Sequence, residues 1–68
     1  MAINWYVLCS PDKYCVVFPD QPLPPTSYPQ HKILAGPFNS EDKAIAWRVQ
    51  HCREFRPPGA PESDWLCP

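Results

Sequence analysis

At 68 residues and a net charge of −1, the chain has room for one domain and lacks the basic excess that phosphate neutralisation needs, which argues against a nucleic-acid partner. Hydrophobic residues make up 44% and aromatics 13%, a composition that folds rather than staying disordered. No apolar run is long enough to span a membrane, and residues 1–9 lack the charged start, apolar centre and small-residue cleavage site of a secretory leader, so the expectation is a cytoplasmic chain with reduced thiols.

Residues 3–9, Ile-Asn-Trp-Tyr-Val-Leu-Cys, read as a strand. Ser10 and Pro11 suit the first two positions of a turn, and Tyr14-Cys15-Val16-Val17-Phe18 reads as the returning strand, ended by Pro19. A loop taken as Ser10–Lys13 sets Cys9 opposite Tyr14, Val7 opposite Val16 and Trp5 opposite Phe18. That register puts Tyr6, Leu8, Cys15 and Val17 on the other face; a slip of one residue pairs Cys9 with Cys15 instead.

Pro19, Pro22, Pro24, Pro25 and Pro29 make residues 19–30 a stiff, extended loop. Pro22–Pro25 fits the loose PxxP pattern, but no basic residue flanks it, so a structural crossover is preferred to an SH3-type ligand. His31–Ala35 reads as a third strand, stopped by Gly36-Pro37. Asn39 or Ser40 can cap a helix from about Glu41 to Phe55, with Glu41 and Asp42 favoured by the dipole in its first turn. Arg56-Pro57-Pro58-Gly59 ends it. Ala44, Ile45, Val49, Cys52 and Phe55 share one face of this helix, with Trp47 at the rim. Arg48 falls inside the apolar arc, its stem expected along the core and its guanidinium at the edge. Residues 57–68 are a Pro-rich tail with no regular element, expected to dock back or meet a partner through Trp65, Leu66 and Cys67.

The fold expected is α+β: a small three-stranded antiparallel sheet, a β-hairpin plus a third strand, packed on one C-terminal helix, with a Pro-rich loop and an irregular tail. The domain is residues 1–56 and the tail 57–68. Gly36-Pro37-Phe38-Asn39-Ser40 followed by Ala44 resembles one βα half of the SPOR peptidoglycan-binding domain, and three strands on one helix resemble the arm-binding domains of phage-type integrases. The likeness covers about residues 33–47; with no second βα half and almost no charge in the strands, it carries neither function to this chain.

Cys9, Cys15, Cys52 and Cys67 are separated by five, 36 and 14 residues, without the close pairs that aim two thiolates at one zinc ion. Buried free thiols are preferred to a metal site, and a Cys52–Cys67 bridge tying tail to helix is the most useful staple in an oxidising setting. His51 and Cys52 are adjacent on the helix and diverge by about 100°, and no G-x-S-x-G, P-loop, G-x-G-x-x-G or H-E-x-x-H is present. The expectation is therefore no catalysis and no cofactor.

Both faces of the hairpin are apolar, whereas a sheet with one wet face alternates apolar and polar residues. A single helix covers one face, so the other needs the Pro-rich loop, the tail, a second copy or another protein. This points to a small non-catalytic interaction module, an adaptor, inhibitor or accessory subunit, with another protein or a second copy of itself as partner. The interface candidates are Tyr6, Leu8, Val17, Tyr28, Trp47, Trp65 and Leu66. The alternatives are a structural metal or thiol-redox protein using the four cysteines, and a βββα nucleic-acid binder that the charge disfavours.

Overall fold

The backbone N–H of Ser10 donates to the Tyr14 carbonyl at 2.9 Å and that of Lys13 to the Ser10 carbonyl at 2.9 Å, closing the first hairpin around Pro11, Asp12 and Lys13. The computed structural model describes residues 3–68; Met1 and Ala2, the start of the expected domain, lie outside the described residues. The hairpin loop has three residues, not the four expected, and its last, Lys13, takes φ 72°. A turn followed by a left-handed residue is a common three-residue hairpin connection. The position usually belongs to glycine and costs another residue about 1 kcal/mol, so no glycine marks it here.

The register follows. β1 (Trp5–Cys9) and β2 (Cys15–Pro19) pair with Cys9 opposite Cys15, Val7 opposite Val17 and Trp5 opposite Pro19. The pairing is the one-residue slip, and it corrects the expected faces: Cys15 and Val17 join Trp5 and Val7 on one side, while Val16 and Phe18 join Tyr6 and Leu8 on the other. The first set meets the helix, and Val7, Cys15, Ala44 and Cys52 form the buried centre, flanked by Trp5, Val17, Leu34, Phe38 and Trp65.

β3 (Lys32–Phe38) pairs with β1 on its far side, giving a three-stranded antiparallel sheet of order β2-β1-β3. Strand β3 runs through Gly36-Pro37, where the sequence reading ended it. As an edge strand it tolerates a proline, and two register shifts against β1 absorb the irregularity. Because β2 and β3 lie on opposite edges, residues 20–31 must cross β1, and the helix already fills one face. They cross the other: Tyr28 stacks on Phe18 with ring centroids 4.5 Å apart, and His31 lies 6.1 and 5.9 Å from the two rings. Pro25, in a short 3₁₀ turn at Pro25–Ser27, is buried, and Leu8 is 0% exposed. The chain's own Pro-rich strap covers part of the second apolar face, burying Leu8 and leaving Tyr6, Val16 and Phe18 half-buried. Asp20 anchors the strap's start by accepting from the Asn4 N–H at 3.2 Å and from Asn4 Nδ2 at 3.3 Å.

α1 (Glu41–His51) is capped by Ser40, whose Oγ accepts from the Lys43 N–H at 3.3 Å. It stops at His51 rather than Phe55. Cys52 turns extended (φ −94°, ψ 158°), and β4 (Arg53–Phe55) leaves the helix to pair antiparallel with β5 (Asp64–Leu66). The tail expected to be irregular thus carries a strand. Phe55 is not helical, and Val49 and Phe55 are 52% and 46% exposed instead of facing the core.

All four cysteines are paired, as Cys9–Cys67 and Cys15–Cys52, with Cα–Cα distances of 5.9 and 6.6 Å. This corrects both the free-thiol expectation and the Cys52–Cys67 pairing. In the expected register Cys9 and Cys15 pointed to opposite faces; in the observed one both point to the helix side, where the helix end and the tail supply their partners.

Candidate functional site: a cleft beside the edge of β2

β5 runs close to the start of β2, and a single isolated bridge just before β2 joins the two segments. Tyr14 bridges Leu66, and the Cys67 N–H donates to the Lys13 carbonyl at 2.9 Å. Beyond this bridge no ladder joins the two strands among the described residues, and between them lies a cleft of about 360 Å³. Residues 14–18 line one wall, Ser63, Asp64 and Trp65 the other, and Arg48 reaches in from α1.

The far wall is held from behind. β4 pairs with β5 through Arg53–Leu66 and Glu54–Trp65, and Arg56 clasps the connecting loop by donating from Nε to the Ala60 carbonyl (3.3 Å) and from Nη2 to the Pro61 carbonyl (3.2 Å). The Cys9–Cys67 and Cys15–Cys52 bonds tie the tail to β1 and the helix end to β2. The cleft is therefore framed by covalent and hydrogen-bonded supports on each side, the arrangement that keeps a binding surface preorganised.

Arg48 is its one cationic group among the described residues. The guanidinium carbon sits 5.4 Å from the Trp65 ring centre, a cation–π contact, and Nε is buried without a hydrogen-bond partner. An unmatched buried donor costs about 1–3 kcal/mol and a desolvated cation–π contact returns about 2 kcal/mol, so the two roughly offset and the cation adds little net stability here.

The structure scatters the interface candidates. Val17 and Trp65 line the cleft and Leu66 sits at its closed end. Tyr28 belongs to the strap, and Tyr6 lies against Gly36 on the strap-covered side of β1. Trp47, half-buried, packs against the core outside the cleft lining, with its ring 4.3 Å from that of His51. Leu8, completely buried, has no surface to offer a partner. Sequence reasoning did not single out Tyr14, Val16, Phe18, Ser63 or Asp64, and no local signal could have done so, because the cleft exists only once β5 bridges β2.

No group of three or more His, Cys, Asp or Glu side chains gathers as a metal site among the described residues. A sulfur held in a disulfide also has no thiolate to give a metal or a substrate. Among the described residues no helix is long and apolar enough to cross a membrane. No known family model, curated protein or solved structure matches the chain.

Proposed function

We propose that this chain is a small, non-catalytic protein-binding module, stapled by its disulfides for an oxidising compartment, with the β2–β5 cleft as its binding surface. One observation carries the reading: a cleft framed by both disulfides stays open beside the edge of β2 and has Arg48, set over the Trp65 ring, in its lining. A lone cation beside an aromatic ring in the wall of a preorganised cleft is a feature that binding uses more readily than folding does. The apolar second face of the hairpin, covered in part by the strap, no longer supplies an argument for a partner; the cleft does.

The disulfides bear on location. Such bonds persist in secreted, periplasmic or lumenal proteins and are scarce in a reducing cytosol, so in this reading the chain works outside the cytoplasm that residues 1–9 suggested.

A photo-crosslinking amino acid at Ser63 in the cleft wall, with one at exposed Gln50 as control, tests the proposal in the native extract. The expected result is a discrete protein adduct from position 63 and none from position 50. Equal or absent adducts, with a monomer by light scattering, would count against it.

A further inference from the structure

We infer that the cleft takes an extended segment of another protein, added as a strand to the edge of β2, with one Asp or Glu side chain of that segment held by Arg48. The inference rests on the binding-module reading and gives the partner a chemistry.

The backbone supplies the first half. Tyr14 and Asp20 bond toward β1, through Ser10 N–H to Tyr14 carbonyl and Asp20 N–H to Asn4 carbonyl, each at 2.9 Å, whereas the Lys13 carbonyl bonds away from β1, to Cys67. Peptide groups in an antiparallel ladder alternate sides, so the N–H and C=O of Val17 point away from β1, where no ladder with β5 is formed among the described residues. β2 ends the sheet on this side. An unpaired N–H and C=O on a sheet edge is a template for another strand. Pro19 has no N–H to donate and the Tyr14–Leu66 bridge shuts the other end, so the opening admits a short segment centred on Val17.

Arg48 supplies the second half. Its planar fork matches a carboxylate with two parallel hydrogen bonds, and Trp65 keeps it from wandering. Trp65 and Val17 give apolar surface for the residues flanking the acid. Asp64 on the facing wall repels a second carboxylate, so the fitting segment has one acidic residue among β-branched or aromatic neighbours. A second copy fits less well. Two β2 edges paired about Val17 would bring Val16 and Phe18 together and leave each Arg48 without a carboxylate.

The test pans a displayed library of random heptapeptides on the oxidised protein and maps synthetic copies of the enriched peptides by amide NMR. Enriched peptides are expected to share one Asp or Glu between β-branched or aromatic residues and to shift the Val17 amide and the Trp65 indole signal. Replacing that acid by its amide, or Arg48→Gln, weakens binding about tenfold, the loss expected when a charge-assisted pair becomes neutral. N-methylation of alternate peptide amides abolishes binding in one parity only, as a strand requires. Enriched peptides without an acid, without parity, or mapping to β3 or to Val49 and Phe55, overturn the inference while leaving a binding module in place. An empty selection with a protein dimeric through β2 overturns it as well and, together with no adduct from position 63, removes the binding reading.

Discussion

Cys15 in β2 is bonded to Cys52, one residue past the end of α1, and both are buried, at 4% and 7% exposure. The bond joins the sheet edge that borders the cleft to the helix that carries Arg48. Its sequence separation is 37 residues, for which loss of unfolded-chain entropy corresponds to about 4 kcal/mol. A domain this small has about 5–10 kcal/mol of net stability, so the bond is a large share of it. The double variant Cys15→Ala/Cys52→Ala is expected to melt about 15 °C or more below the parent, or not to fold. An unchanged thermal midpoint by circular dichroism would mean the bond does not form in solution.

The two disulfides should open in order. Cys9 and Cys67 are half-buried while Cys15 and Cys52 are buried, and thiol exchange needs access to sulfur. Limited reductant followed by alkylation is expected to label Cys9 and Cys67 first, with peptide mapping by mass spectrometry as the readout. Simultaneous labelling of all four would show instead that reduction proceeds through global unfolding.

Tyr28 fastens the strap. Its ring stacks on Phe18, and an aromatic pair contributes about 0.5–1.5 kcal/mol beyond the area it buries. Tyr28→Ala is expected to cost about 2 kcal/mol and to increase binding of a hydrophobic dye, because Leu8 and Phe18 lie beneath the strap on that face. A stability loss without new dye binding would mean that the strap stays closed without the stack.

Gly36 and Gly59 both have positive φ, 129° and 81°, yet they should respond differently. A Cβ on Gly36 would lie 2.5 Å from Tyr6 Cδ1 and 3.0 Å from the Trp5 carbonyl oxygen, whereas one on Gly59 meets nothing within 4 Å. Gly36→Ala combines backbone strain with a clash against β1 and is expected to cost about 3 kcal/mol; Gly59→Ala carries the strain alone, about 1 kcal/mol. Denaturant midpoints of the two variants measure the difference, and equal shifts would remove the close packing of β3 on Tyr6 from the account.

Local chemistry made much of this fold readable. Ser40 followed by Glu41 and Asp42 marked the helix start, Pro19 marked the end of β2, and the aromatic runs marked both strands of the hairpin. What stayed hidden was set at long range or by an atypical residue. Lys13 occupies a left-handed position with no glycine to announce it, and that one residue moved Val16, Val17 and Phe18 to the opposite faces. The helix ends at His51 because Cys52 is drawn to Cys15 and Arg53–Phe55 are drawn to β5, neither of which local sequence discloses. The cleft depends on all of these at once. Of its residues, Val17 and Trp65 stood out in the sequence as apolar interface candidates and Arg48 as a cation inside an apolar arc, and the usual reading of such a cation is a stem on the core with its charge in water.

Arg48→Met separates those readings. Methionine keeps an unbranched stem against Trp65 and removes the buried, unpartnered Nε–H along with the charge. The loss is a cation–π contact of about 0.5–2 kcal/mol; the gain is relief of an unsatisfied donor worth about 1–3 kcal/mol. The variant is therefore expected to be as stable as the parent or about 1 kcal/mol more stable, measured by denaturant unfolding of the oxidised protein, while binding to the acidic segment weakens about tenfold or more. A residue kept for packing would show the reverse, with Arg48→Met destabilising and binding unaffected. Stability that rises as binding falls is the signature of a side chain retained for function at the fold's expense.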